Sequence, residues 1–374
     1  MTNSRDFFPL GKALGSAFCN RAEELKWLLE NVKAGKHMLL IAPRRYGKSS
    51  LALRGILLSG LPAIVLNFNT CASSEDVERV IIHAVGELIK QIMGPLEQAI
   101  HVIRRYLFTL QPRLTWQLQD LHLEFIAPAD TPSHEKIEEV LLMLEKLLED
   151  KKTEAVLVLD EFQTVGGIAK GHGMEAALRN VAESVQHMTL IFSGSHRRLL
   201  LRMFEDEQRP LYKLCRKLRV DRIAIQHYEL HLNRAAEQQW GSLLSEEVLN
   251  LVMTLSEQHP YYVNYLCDIL WSISPDLPSL DGVRRAWVLL LDEEQSDAHA
   301  EIGALSIGQR KVLKYIASHG GVDITSVQAV KIMGSAASSI AGAVNVLVAK
   351  DLIEKDKLGT YQIINPVIRA CLIV

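Results

Sequence analysis

Residues 37–50 read HMLLIAPRRYGKSS: an unbroken apolar run, Met38 to Ala42, gives way to Pro, two Arg, Tyr and then Gly-Lys-Ser-Ser. An apolar run without alternation is the pattern of a strand buried on both faces of a parallel sheet. Behind it Leu51, Leu53, Ile56 and Leu57 recur at helical spacing and stop at Gly60. Strand, turn and helix are the setting a phosphate-binding loop needs, and [Ala/Gly]-x-x-x-x-Gly-Lys-Ser is complete from Ala42 to Ser49. In such a loop Gly47 lets backbone N–H groups approach a phosphate. Lys48 sets its ammonium on the β- and γ-phosphates, and the Ser49 hydroxyl ligates Mg²⁺. The helix N-terminus adds partial positive charge. The nucleotide-contacting candidates are therefore Ala42, Pro43, Arg44, Arg45, Tyr46, Gly47, Lys48, Ser49 and Ser50.

The loop needs an acidic partner, and TEAVLVLDEFQ (153–163) supplies one: a second buried strand ending in Asp160-Glu161. A carboxylate at that tip, Asp160, holds Mg²⁺, and Glu161 beside it orients the attacking water. Phosphates then sit at the carboxyl end of a parallel sheet, so ATP and Mg²⁺ are the expected cofactors. PAIVLNFN (62–69) and MTLIFSGSH (188–196) read as further strands, and DRIAI (221–225) as the last. Ser193 or Ser195 senses the γ-phosphate, or else caps a helix. Helices are expected from about Ser74 to Met93 and over 135–149, with a small β-hairpin between them around Leu114–Phe125. Residues 166–174, GGIAKGHGM, read as a flexible loop. In the basic stretch 196–222, Arg209 and Arg216 are arginine-finger candidates, from the same or a neighbouring subunit, against a simple solvated face.

At 374 residues the chain suits two or three domains. Charge segregates along it: residues 231–300 carry three basic and 11 acidic side chains, whereas 301–374 carry eight and five. Breaks near 230 and 300 follow, giving a P-loop domain over 1–230, a helical lid over 231–300 and a third domain over 301–374. In the lid, Leu244, Val248, Leu251, Val252 and Leu255 mark one helix. Tyr262, Leu266, Ile269, Leu270 and Ile273 mark another that starts at Pro260, and a last helix lies near 281–294. Residues 301–374 read as three helices (306–318, about 324–333, 335–349) and a hairpin around Lys357-Leu358-Gly359, the outline of a winged helix-turn-helix. No apolar run approaches the roughly 18 residues that cross a bilayer, so no membrane partner is expected. Five scattered cysteines and an N-terminus without a signal-peptide layout point to a cytoplasmic protein with reduced thiols. The histidines lack metal-ligand spacing.

The fold class expected is α/β, a P-loop NTPase sheet with a helical lid and a winged helix. FCNRAEEL (18–25), APRRYGKSSL, LDEFQ, FSGSH, RPLY, HPYYVNYLC and the tail QRKVLKYIA…LVAKDLIEKD…YQIINPVIRACL resemble the prokaryotic archaeal-type ATPases of the STAND branch of AAA+ P-loop NTPases. The resemblance covers nearly the whole chain. It implies that Arg44 and Arg45 occupy positions the family reserves for arginine, either anchoring acidic groups nearby or touching phosphate, and that Pro260 begins a helix where the family contacts the base. Two positions depart from the pattern. Ala42 stands for the first Gly of the loop, where φ need not be positive, and Asn20 stands for the Gly of the entry segment.

The leading expectation is a slowly hydrolysing ATP switch whose lid, hinged near 230, and winged helix relay nucleotide state to a protein partner. The alternative is a DNA-associated ATPase resembling origin-recognition or transposition-helper proteins; a third reading, a non-catalytic scaffold, has no need of Glu161. Contact with nucleic acid is expected to be non-specific, because GSAASSIAGAVNVLVAK, the recognition-helix segment, offers only Asn345 and serines before Lys350. Lys331, Lys350, Lys355 and Lys357 can touch phosphates, and Ala336, Ala337, Ala341 and Ala343 offer a small-residue docking face. Nucleotide-dependent homo-oligomers fit the finger reading.

Overall fold

The computed structural model describes residues 6–94, 96–117, 120–128, 130–168, 172–356 and 358–373. Lys357 and residues 169–171 of the expected 166–174 loop lie outside them, and residues 166–168 and 173–174 are helical. The chain divides into two compact units. One comprises Arg21–Arg44 and Lys48–Val220. The other comprises Met1–Asn20, Arg45–Gly47 and Asp221–Val374.

The first unit runs α1 (Ala22–Lys33), β1 (Met38–Ile41), α2 (Lys48–Ser59), β2 (Ala63–Asn67), α3 (Ser74–Met93) and α4 (Leu96–Ile103). It continues through β3 (Gln111–Gln117), β4 (Asp120–Ile126), α5 (Ser133–Lys151), β5 (Ala155–Asp160), α6 (Gln163–Ile168) and α7 (Gly173–Ser184). It closes with β6 (Met188–Gly194), α8 (Arg197–Glu205) and β7 (Arg216–Arg219). Five parallel strands lie in the order β2-β5-β6-β1-β7. Every residue of β1, β5 and β6 is buried, as their unalternating apolar sequences require. The helix α3 starts at a capping box, Ser73 with Asp76, and lays Val77, Ile81, Val85 and Leu88 into the core. The insertion is the expected hairpin, with Leu114 opposite Leu123 and Trp116 opposite Leu121.

The last strand is not where the sequence pointed. It is Arg216–Arg219, an exposed edge strand pairing with β1 from Met38 to Ile41. An edge strand is defined by its backbone ladder and needs little apolar content. The apolar residues of DRIAI go elsewhere: Ile223 joins the core of the second unit, and Ile225 opens a helix.

The second unit is helical: α9 (Ile225–Trp240), α10 (Glu246–Ser256), α11 (Pro260–Ile273), α12 (Leu280–Gly303), α13 (Ile307–His319), α14 (Val327–Met333) and α15 (Ala337–Ala349). The two-stranded antiparallel ribbon β8 (Ile353–Lys355) and β9 (Tyr361–Ile363) follows, then α16 (Pro366–Ile373). The expected break near 300 meets a continuous helix, α12, and one apolar cluster extends from Phe8 through Trp271 and Leu290 to Leu347 and Val367. The expected hinge near 230 lies inside α9, which carries buried Tyr228, Leu232 and Ala235. On α15, Ile340, Val344 and Leu347 face inward. Val348 is exposed, and Ala343 of the expected small-residue docking face is buried. Among the described residues no single helix is long and apolar enough to cross a membrane.

The ribbon is fixed to the segment after α13 by a close backbone approach. The Tyr361 amide donates to the Gly321 carbonyl at 3.1 Å. A Cβ on residue 321 would lie 1.8 Å from the Tyr361 carbonyl oxygen. Gly321→Ala therefore has to push the ribbon away, at a cost of about 1–3 kcal/mol. Chemical denaturation should show a lower midpoint, and an unchanged midpoint would contradict this packing.

Candidate nucleotide site

Parallel register gathers the candidate residues at one edge of the sheet. Ile41 pairs with Gly194 and Leu159 with Phe192, so Ala42, Asp160 and Ser193 emerge together at the carboxyl ends of their strands. The loop between β1 and α2 turns through two left-handed residues, Arg45 at φ 67° and Gly47 at φ 86°. A Cβ on Gly47 would meet nothing within 4 Å, so the backbone angle and not crowding selects glycine there. Ala42 is not among the positive-φ residues, which is why a side chain is tolerated at that position. Asn20, the other departure, has φ 49°, a conformation that asparagine adopts more readily than most residues.

Lys48 opens α2, is only 6% exposed, and donates from Nζ to the carbonyls of Ala42 at 3.2 Å and Pro43 at 3.3 Å. The Ser49 hydroxyl donates to Asp160 Oδ2 at 3.0 Å. On its other oxygen Asp160 accepts from the Ser193 hydroxyl at 2.5 Å and the Glu161 amide at 3.1 Å. A hydroxyl and a carboxylate side by side at a helix start are hard oxygen donors, the set Mg²⁺ shares with phosphate and water. Ser49 and Asp160 thus fit the ion, and they are the residues that would hold it. No group of three or more His, Cys, Asp or Glu suited to a metal occurs among the described residues.

Glu161 sits at φ 54°, a costly conformation for a residue with a side chain. Its Oε2 accepts from the Ser195 hydroxyl at 2.7 Å, the Ser195 amide at 3.1 Å and Gln163 Nε2 at 2.6 Å. Burial pushes this carboxyl up. The bonds from Ser195 and Gln163, with the Lys48 charge, more than offset that and hold it below the usual carboxylate value. Glu161 is therefore a positioned anion at neutral pH. The sequence left Ser193 and Ser195 as rival sensors, and each proves to serve a different carboxylate.

The remaining candidates are dispersed. Arg44, within the loop, is exposed, and Ser50, on α2, is buried. Arg209 Nε donates to Glu175 Oε2 at 3.0 Å and a second guanidinium nitrogen bonds the other oxygen of the same carboxylate, itself fully buried. Its fork is committed there. Arg216 pairs in register with Met38, at the amino end of the sheet and so opposite the phosphate loop, and donates to Asn31 Oδ1 at 3.3 Å. Pro260 is the first residue of α11. Sequence reasoning missed Gln163, although it quoted LDEFQ, and Gly194 is the reason that side chain fits: a Cβ there would fall 1.9 Å from Gln163 Oε1.

No protein-family model matches the chain, and no curated protein sequence does. Among solved structures, it is similar to a Walker-type ATPase of Pyrococcus abyssi, at 19% identity and a TM-score of 0.68, over 98% of this chain and 100% of that one. It is also similar to the ORC2 protein of Aeropyrum pernix solved in ADPNP–ADP complexes, at 15% identity and a TM-score of 0.58, over 99% and 95%. The same ORC2 protein in its ADP form matches at a TM-score of 0.53 and 15% identity. At such identities the likeness establishes the fold alone, an α/β fold on a five-stranded parallel sheet that those structures share.

Removing the Ser195 hydroxyl takes away one of the bonds that hold the Glu161 carboxylate charged. Ser195→Ala should make Glu161 protonate at higher pH than in the unaltered protein. Carbon-13 NMR titration of labelled glutamate carboxyls checks it, and an unmoved Glu161 titration contradicts the assignment.

Proposed function

We propose that the protein binds Mg-ATP and hydrolyses it, and that it works as a DNA-associated ATPase. The observation that carries the ATPase reading is the meeting of Lys48, Ser49, Asp160 and Glu161 at one sheet edge, with Glu161 held ionised and apart from the metal donors. In this reading Lys48 holds the β- and γ-phosphates. Ser49 and Asp160 carry Mg²⁺, which supplies charge neutralisation on the phosphates when bound. Glu161 orients the attacking water, and Ser195 and Gln163 hold Glu161 in place. The likeness to a protein solved with ADPNP and ADP supports an adenine nucleotide as the ligand.

The DNA-associated reading draws its support from a likeness that extends over 99% of the chain to an ORC protein. The helices α13, α14 and α15 with the β8–β9 ribbon also follow the order expected of a winged helix. The STAND-type switch read from the sequence resemblance gains less support from these structures. One observation keeps a protein partner as the second reading. The outer face of α15 presents Ala337, Ser338, Ser339, Ala341, Gly342 and Asn345, with no basic residue before Lys350. Such a face does not read bases, so DNA contact in this reading goes to phosphates and depends steeply on salt.

Two measurements test these assignments. In isothermal titration with Mg-ATP, Lys48→Ala should lose affinity by at least the roughly 1.5–3 kcal/mol of a charged hydrogen bond, and unaltered affinity would sink the site. Glu161→Gln should retain ATP while hydrolysing it far more slowly, because the carboxamide no longer orients water. For DNA, gel shifts with random duplexes at two salt concentrations should show binding that fades at the higher salt. An enriched motif surviving physiological salt would overturn the non-specific reading, and no binding at either salt would leave the protein-partner reading in its place.

A further inference from the structure

Three residues of the phosphate loop, Arg45, Tyr46 and Gly47, group with the C-terminal unit and not with the sheet. Their contacts there explain why. Tyr46 is 1% exposed, among the most buried large side chains in the chain. Its hydroxyl donates to Glu354 Oε1 on β8 at 3.0 Å and accepts from Arg222 Nε at 3.0 Å. Arg222 spends its other four donors on two further places. From Nη1 it bonds the Glu257 carbonyl at 2.6 Å and the Glu257 carboxylate at 3.2 Å. From Nη2 it bonds the carbonyls of Ile363 at 3.0 Å and Ile364 at 3.1 Å. All five guanidinium donors are therefore used, a fixed fork that locks the tyrosine hydroxyl, the end of α10 and the end of β9 into one geometry.

The ring is held as firmly as the hydroxyl. His259 meets it edge-on at 4.7 Å between centroids. Burial, then the charges of Arg222 and Arg45, push the His259 imidazole down to about 3, so it packs as a neutral ring. The neighbouring Arg45 lies over the Tyr261 ring at 4.1 Å and 3.7 Å from Glu294 on α12. Glu354 also accepts from Gln362 across the ribbon at 3.3 Å.

A polar network this buried keeps its full value only while every member is in place. One residue, Gly47, separates Tyr46 from Lys48. From this geometry we infer that Tyr46 is a positioning residue for the phosphate loop, through which the place of the β8–β9 ribbon and the readiness of Lys48 for phosphate are thermodynamically linked. The inference rests on the ATP site proposed above and deepens it. Any change that displaces the ribbon then shifts nucleotide affinity, and nucleotide shifts the ribbon by the same factor.

The test uses the full-length chain and the variants Tyr46→Phe, Glu354→Ala, the two combined, and Glu354→Gln. Tyr46→Phe keeps the ring and removes both hydroxyl bonds, so the fold survives it. Without nucleotide, hydrogen exchange should rise in both 42–49 and 353–363 in either single variant, and no further in the double. With Mg-ATP, each single variant should weaken affinity about threefold to tenfold, the span of one lost buried hydrogen bond. The double should match the singles, and Glu354→Gln, which still accepts the tyrosine proton, should restore affinity. Additive losses, or faster exchange in 353–363 with 42–49 unmoved, overturn the linkage. The exchange arm needs no ATP, so a wild-type protein that binds no nucleotide would refute the ATP reading while the exchange result still decides the linkage.

Discussion

The Asp160 carboxylate is the contact on which the rest of the candidate site depends. It joins three elements distant in sequence: the start of α2 through Ser49, the end of β6 through Ser193, and its own strand tip through the Glu161 amide. Parallel strands bring these together only when β5 and β6 stop at matching heights, and the ladder from Ala155–Met188 to Leu159–Phe192 sets those heights. Once Asp160 is fixed, the left-handed turn at Glu161 swings the next carboxylate onto Ser195 and Gln163. Two adjacent acids thus acquire separate surroundings. One sits beside the start of the helix that carries Lys48, and the other is held ionised by neutral donors.

The two arginines of the loop differ in the same physical way. Arg45 is in a left-handed conformation and turns to Tyr261 and Glu294, which accounts for an arginine there without any call on phosphate. Arg44 is exposed and on the sheet side of the division between units. Tyr46 between them and Gly47 is buried like a core residue although it sits in a loop. Loop residues are buried only when their polar atoms find partners, and Arg222 with Glu354 provides both.

Much of the sheet and of the acidic tip was legible in the sequence because local pattern decides them. Strands such as AVLVLD have one stable placement, inside, and a Gly-Lys-Ser turn after an apolar run has a short menu of conformations. The edge strand was not legible: RKLR carries no apolar signal, and only the ladder to β1 reveals it. The hinge expected near 230 rested on a shift of charge, which records what faces solvent and not where a helix breaks, and α9 runs through it. Long-range partners were also out of reach. Arg222 stands 176 residues from Tyr46 and Glu354 stands 308 away, and nothing local to either marks the bond. Ser193 and Ser195 could not be told apart before the left-handed turn at Glu161 was known, since that turn decides which serine meets which carboxylate.

The central claim is that Asp160, with Ser49, holds the ion that accompanies the nucleotide. The most direct measurement is ATP affinity as a function of free Mg²⁺ for the unaltered protein and for Asp160→Asn. The account predicts that affinity rises with Mg²⁺ in the unaltered protein and is nearly flat in the variant, which keeps the size of the side chain but not its charge. The same Mg²⁺ dependence in both proteins would contradict it.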